Sequence, residues 1–202
     1  MDSEEDYLFS GLKVLDVGTW IAAPVAATIL ADLGADVIKV EQPIHGDAYR
    51  KLAESPIGPR PSVNAYWIGD ARNKRSITLN LQTQEARDVL LELVRECDVY
   101  ITNQPASTRE AFGLTYERLS QVNPRMIYAS LTAYGEDGPD AGREGFDGVA
   151  WWARTGLMDQ VRAWGQAPGM SVPGMGDHPT AVTMYAMIVT ALLRRERTGK
   201  GT

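Results

Sequence analysis

Short apolar runs alternate with helix-length segments along this chain, and that alternation limits the possible folds more than any other feature. Lys13-Val14-Leu15-Asp16-Val17 reads as a short buried strand ending at Gly18. Pro24 to Leu33 reads as a small-residue helix. Pro24 is tolerated in its first turn, where the missing N–H would have had no partner, and Gly34 ends it. Val37 to Val40 is a second strand, closed by Glu41-Gln42-Pro43. Ile44 to Pro61, rich in Gly and Pro, reads as loop with short turns. Ser76 to Leu79 is another strand signal, and Val89, Leu90, Leu93, Val94 and Cys97 share one helical face. Val99 to Thr102 follows as a strand, and Tyr116 to Val122 as a short helix stopped by Asn123-Pro124. Met126 to Leu131 is a further strand, leading into the polar loop Tyr134 to Pro139. Asp147 to Met158 has a helical pattern, and Gln166 to Gly176 a loop composition. A last helix opens at Pro179, with an apolar stripe of Val182, Tyr185, Ala186, Val189, Leu192 and Leu193. Arg194, Arg195 and Arg197 fall in its last turns, where cations suit the helix dipole, and Gly199 is its stop.

Strands alternating with helices in this way imply a parallel sheet with right-handed crossovers. The expected fold class is α/β, a Rossmann-like doubly wound, mostly parallel sheet. In such sheets ligands gather outside the carboxyl ends of the strands. Here those ends deliver Gly18-Thr19-Trp20, Glu41-Gln42, Asn103-Gln104 and the Tyr134 to Pro139 loop. The turn Gly18-Thr19-Trp20-Ile21-Ala22-Ala23 lacks the glycines that let backbone approach a pyrophosphate. Gly199-Lys200-Gly201-Thr202 follows a helix rather than a strand, so it is not read as a phosphate loop.

Composition removes other classes. A chain of 202 residues is long enough for one domain with a real core. A net charge of −6 argues against a general nucleic-acid binder. One cysteine, Cys97, excludes an internal disulfide and a Cys-rich zinc site, and two histidines, His45 and His178, exclude a multi-histidine metal site. Met1 to Asp6 is acidic and lacks the basic-then-apolar order of a secretion signal. The apolar stretch Ile21 to Ala31 contains Pro24 and is too short to span a bilayer. A cytoplasmic protein that binds neither membrane nor nucleic acid is the expectation.

Asp177 stands out in Gly174-Met175-Gly176-Asp177-His178-Pro179-Thr180, at the expected start of the last helix. One reading is an N-cap, since Asp is among the best caps. The other is a carboxylate nucleophile: flanking glycines would let a substrate come close, and the helix N-terminus would keep the carboxylate ionised. The residues alone leave both open.

A wider pattern bears on that choice. It consists of Gly11-Leu12-Lys13-Val14-Leu15-Asp16, Leu33-Gly34-Ala35-Asp36-Val37-Ile38-Lys39-Val40-Glu41 and Asn73-Lys74-Arg75-Ser76-Ile77-Thr78-Leu79-Asn80. Asn123-Pro124-Arg125-Met126-Ile127-Tyr128, the Tyr134 to Pro139 loop and Arg195-Glu196-Arg197-Thr198-Gly199-Lys200-Gly201 continue it. In order and spacing these segments resemble the class III CoA-transferases from Leu12 onward. That group contains formyl-CoA:oxalate CoA-transferase and carnitine CoA-transferase, with the α-methylacyl-CoA racemases as relatives. The resemblance implies that Asp177 is catalytic, passing CoA from an acyl-CoA to a small carboxylic acid through an aspartyl-CoA thioester, with no metal. It implies CoA contacts at Ile21 and Ala22, at Gln42, at Leu79, Asn80 and Gln82, at Asn103 and Gln104, and over Arg143 to Phe146.

The departures from the family pattern matter as well. Gln42 and Ala111 stand where relatives carry CoA-binding arginines, and Arg109 would face another side of its helix. Arg72, Lys74 or Arg75 would supply charge instead, or simply form a solvated basic surface. Phe146, in Gly145-Phe146-Asp147, replaces the histidine of the racemase relatives, so racemisation is not expected; Asp147 itself reads as an N-cap. Cys97 reads as a core thiol. His178 either orients Asp177 or is an exposed histidine at a helix start. Trp151 and Trp152 either line an acyl pocket or pack in a core or interface. Relatives continue through a smaller second domain and assemble as interlocked dimers. Residues 1–202 are therefore expected to be the N-terminal part of the CoA-binding large domain. A homodimer mate or a partner chain would supply the rest of the site. The competing expectation is a non-catalytic CoA-binding or assembly subunit.

Overall fold

The computed structural model describes residues 7–54 and 62–202. Its strands are β1 (Lys13–Asp16), β2 (Asp36–Glu41), β3 (Arg75–Thr78), β4 (Val99–Thr102) and β5 (Ile127–Ser130). They form one sheet in the order β3-β2-β1-β4-β5, parallel at every pairing. The helices are α1 (Ala22–Asp32), α2 (Ala65–Ala71), α3 (Gln84–Glu96), α4 (Ala106–Phe112), α5 (Tyr116–Val122), α6 (Leu157–Gln160) and α7 (Asp177–Thr198). A 3₁₀ helix (Ala48–Glu54) lies in the expected 44–61 loop, of which 55–61 fall outside the described residues, as do 1–6. No described helix is long and apolar enough to cross a membrane.

Strand side chains alternate between two cores, as a pleated sheet covered on both faces requires. Val14, Val37, Val99, Ile101 and Ile127 pack with α1 and α7. Leu15, Val17, Val40 and Tyr100 pack with α3 and α5. Small residues let α1 sit deep: Ala23, Ala26, Ala27 and Leu30 are fully buried. It ends in a Schellman turn, with Gly34 N–H donating to the Ala31 carbonyl and Ala35 N–H to that of Leu30. Gly34 takes φ +99°, which a side chain would resist.

Three helical expectations need correction. The buried face of α3 is carried by Leu90 and Val94, while Val89 is exposed. The buried stripe of α7 is Ala181, Met184, Ile188, Leu192 and Arg195, leaving Val182 and Leu193 exposed. Apolar residues ring most of α7, so hydropathy alone does not fix which stripe meets the sheet. The Asp147 to Met158 segment is not one helix. A π-helical turn (Gly148–Ala153) is followed by Gly156 at φ +83° and then the single turn of α6. Arg195 lies in the last turn of α7, as expected. It is buried and donates to Asp98 Oδ1 at 2.9 Å.

Below the carboxyl ends of β1 and β2 lies a buried ionic cluster. Lys74 Nζ meets Asp16 Oδ2 at 2.8 Å and the Pro24 carbonyl at 2.6 Å. Lys39 Nζ meets Asp47 Oδ2 at 2.9 Å, the Gly18 carbonyl at 2.9 Å and Asp16 Oδ2 at 3.6 Å. Both ammonium side chains are only 2% exposed, so water does not share this charge. Burial opposes ionisation of Asp16, but Lys74 and Lys39 outweigh it and hold its carboxyl below the usual range. Removing one member strands its partner without solvent. Lys74→Met is expected to destabilise the fold by about 3–5 kcal/mol, read from the denaturant midpoint. Arg75→Met breaks only the exposed Arg75–Asp36 pair and should leave that midpoint unchanged.

Candidate active site

The carboxyl ends of β1, β2 and β4, with the segment after β3, enclose a cleft of about 270 Å³. Val17, Trp20, Leu79 and Phe112 give it apolar walls; Gln42, Asn80, Gln82 and Gln104 give it amides. Trp20 holds φ +65°, a conformation that bulky residues avoid. Its N–H donates to Asp47 Oδ1 at 3.1 Å, which ties this strained residue to the ionic cluster. Asn103, at the end of β4, grips Thr19 twice. It accepts from Thr19 N–H at 2.9 Å and donates to the Thr19 carbonyl at 2.8 Å.

A second corner adjoins the first through aromatic contact. The Trp20 indole meets the Phe146 ring edge-on, with centroids 5.4 Å apart. The next residue, Asp147, accepts from Gly148 N–H at 2.7 Å and from Gly176 N–H at 3.0 Å. It therefore caps the π-helical turn, as expected for an N-cap, and also clamps the residue before Asp177. Gly176 occupies the N-cap position of α7, and Asp177 is the first helical residue. The N-cap reading of Asp177 is thus corrected, because its carboxylate is not spent on capping. The flanking glycines do not leave open space either. A Cβ on Gly176 would lie 2.9 Å from Trp151, and one on Gly174, at φ +77°, would lie 3.2 Å from the His178 ring and 3.5 Å from Ile21 Cδ1. These glycines admit protein side chains.

Asp177 is half-buried, and among the described residues nothing hydrogen-bonds or ion-pairs with its carboxylate. Burial, then Asp147, then Asp70 push its pKa up to about 6, while His178 works the other way. The helix start therefore does not leave Asp177 an ordinary carboxylate, although it is still mostly ionised at neutral pH. His178 does not bond to Asp177. Its Nδ1 lies 2.8 Å from the Gly174 carbonyl and its Nε2 3.1 Å from Asp70 Oδ1. Asp70 in turn accepts from the Tyr49 hydroxyl at 2.5 Å. This Tyr49–Asp70–His178 chain joins three separate elements, and no local motif announced it.

The expected ligand-contacting residues divide. Gln42, Leu79, Asn80 and Gln104 line the cleft together. Ile21 and Ala22 are buried at the start of α1, where only backbone would be offered. Asn103 borders the cleft through its grip on Thr19. Phe146, 63% exposed, stands at the edge against Trp20. Arg143 is not brought to the cleft; it pairs with Asp140 at 2.7 Å and lies over Tyr134. The alternative cations are also engaged. Arg72 pairs with Asp32, Arg75 with Asp36, and Lys74 is buried rather than solvated. Arg109 is buried on the Gln104 carbonyl, Tyr128 and Glu136, and does not replace a cation at Ala111. Trp152 is a packing residue, with its Nε1 donating to the Gly169 carbonyl at 2.8 Å. Burial pushes the Cys97 thiol up to about 12, as befits an inert core thiol.

Residues 9–202 match CoA-transferase family III. Cinnamoyl-CoA:phenyllactate CoA-transferase of Clostridium sporogenes is 37% identical over 96% of this chain and 47% of its own length. The succinyl-CoA–L-malate CoA-transferase beta subunit of Chloroflexus aurantiacus is 38% identical over 95% of this chain and 47% of its own length. A crystal structure of a CAIB/BAIF family protein from Brucella suis superposes with a TM-score of 0.88 at 37% identity, covering 97% of this chain and 52% of that one. The chain thus spans about half the length of the curated relatives it matches.

Two stability tests follow from this corner. An acid whose pKa rises from about 3.9 unfolded to about 6 folded binds its proton more tightly in the native state. Its favourable contribution is full below about pH 4 and is lost as pH rises through about 6. Partial exposure reduces the penalty at neutral pH to about 1–2 kcal/mol. Asp177→Asn should therefore raise the melting temperature near neutral pH and leave it unchanged in acid, as read by thermal melts across pH. Gly176→Ala drives a methyl into Trp151 and should cost about 1–3 kcal/mol at every pH.

Proposed function

The chain belongs to CoA-transferase family III, and on that premise we propose that it moves CoA between an acyl-CoA and a small carboxylic acid, with Asp177 as the nucleophile. The observation that carries this reading is a half-buried carboxylate on the first residue of α7, unpaired among the described residues and linked to the strand-end cleft through the Gly176–Asp147 hydrogen bond and the Phe146–Trp20 contact. Chloroflexus and Clostridium relatives bearing CoA-transferase names lend it further support.

An Asp177 oxygen attacks the thioester carbonyl carbon; the C–S bond breaks, and CoA leaves as thiolate. The product is an acyl–aspartyl mixed anhydride. The thiolate then attacks the Asp177 Cγ, the bond between Cγ and the bridging oxygen breaks, and the donor acid departs as a carboxylate that keeps that oxygen. CoA is now held as an aspartyl thioester. The acceptor carboxylate runs the two steps in reverse and regenerates the Asp177 carboxylate. No net proton is transferred, so the nucleophile needs no general base, only to be ionised. With a pKa near 6, Asp177 meets that condition at neutral pH.

The cleft suits the non-phosphate parts of CoA. Trp20, Leu79 and Phe112 offer apolar surface to the base, and Gln42, Asn80, Gln82 and Gln104 offer amide partners. Among the described residues no Lys or Arg lines it, so the phosphates are expected to meet cations at the rim or on the remainder of the protein. In this reading residues 1–202 are the N-terminal part of a CoA-binding large domain. A second copy or a partner chain brings further site residues. The mechanism has a direct test. The complete protein, incubated with an acyl-CoA panel, should show a CoA adduct on the Asp177 peptide by mass spectrometry. The yield should be half-maximal near pH 6. Asp177→Asn should abolish the adduct and slow transfer by at least about a thousandfold. Transfer that survives the substitution unchanged refutes Asp177 as nucleophile. Thioester hydrolysis without transfer identifies a hydrolase instead.

A further inference from the structure

We propose that His178 stands beside Asp177 as an imidazolium, fixed in that state by Asp70 and the Gly174 carbonyl, and that its charge keeps Asp177 in the reactive carboxylate form. The inference rests on the reading of Asp177 as nucleophile and adds to it the group that tunes the nucleophile.

The argument starts from donors and acceptors. A backbone carbonyl only accepts, so the His178 Nδ1, 2.8 Å from the Gly174 oxygen, carries a proton. The Nε2 faces Asp70 Oδ1 at 3.1 Å. A neutral ring would turn its remaining lone pair on that carboxylate oxygen; a protonated ring donates to it. Asp70 is itself held. Tyr49 donates to its other carboxylate oxygen at 2.5 Å, and Thr28 donates to its backbone carbonyl at 2.6 Å. Both ring nitrogens are thus engaged by acceptors on a supported frame. Burial works against the charge on the ring, but the Gly174 carbonyl, Asp70 and Asp177 outweigh it and raise the His178 pKa above the ordinary value.

What that cation does follows from its neighbours. Asp177 shares its own helix with His178, faces Asp147 from the π-helical turn, and feels Asp70 from α2. Tyr49, from the 3₁₀ helix, is a neutral phenol whose ionisation burial, Asp70 and Asp177 oppose. Two carboxylates therefore favour the protonated, unreactive form of Asp177, and His178 opposes them. Because both ring nitrogens are occupied, His178 does not donate to substrate. It is a positioning residue that acts through Asp177.

Nuclear magnetic resonance on the complete protein tests this without any substrate. On the complete protein, His178→Gln assigns the ¹⁵N ring signals of His178 by their loss, and Asp177→Asn assigns the ¹³Cγ signal of Asp177 in the same way. At neutral pH His178 should show two protonated nitrogens, and Asp70→Asn should lower its midpoint. His178→Gln should raise the Asp177 midpoint by about half to one unit. The acid limb of adduct formation should move by the same amount, with rates converging in mild alkali. A neutral His178 ring at neutral pH, or an Asp177 midpoint unmoved in His178→Gln, overturns the proposal. If both midpoints behave as stated but no adduct forms at any pH, the nucleophile reading falls and the electrostatic pairing stands.

Discussion

The cluster of Asp16, Lys39, Lys74 and Asp47 is the constraint on which the working end of the sheet depends. Each charge comes from a different segment: the end of β1, the middle of β2, the residue before β3, and the loop after β2. None has solvent to fall back on, so the four must be brought together for any to be satisfied. Once they are, the backbone above them has little freedom. Gly18 is held through its carbonyl by Lys39 and through its N–H by Asp16. Trp20 is held in a left-handed conformation by Asp47. Glu41 closes the frame by accepting from Asp47 N–H at 2.9 Å and pairing with Arg50. The cleft wall is therefore set by electrostatics beneath it as much as by packing around it.

The sheet is legible in the sequence because its central strands, covered on both faces, are mostly apolar. Val99 to Thr102 is buried at every position, and it was the plainest run to read. Helix faces were less legible. On α7 an apolar stripe for the sheet and a second exposed apolar stripe lie side by side, and the period of 3.6 residues does not choose between them. Charged residues are the least legible. Hydropathy treats Lys74 as solvent-facing, and nothing local shows that Asp16, 58 residues earlier, waits for it in the interior.

The candidate site shows the same division. Asp177 and the cleft residues Gln42, Leu79, Asn80 and Gln104 were reachable from a family-like pattern at the strand ends. Their distant partners were not. Asp147 reaches the Gly176 N–H across 29 residues, and Asp70 reaches His178 across 108. Such pairs are products of topology: right-handed crossovers return the chain to the same sheet edge, and distant side chains become neighbours only there. The electrostatic balance around Asp177 is thus a property of the fold rather than of any motif.

One consequence belongs to α7 itself. The helix is 22 residues long, a rod of about 33 Å. Asp147 moors its first end through Gly176, and Asp98 moors its other end through Arg195. Gly174 and Gly176 sit tight against side chains where the rod begins. A lineage built on this frame is free to remodel the surrounding loops without moving the rod. The carboxylate on the rod keeps its place while the walls around it change.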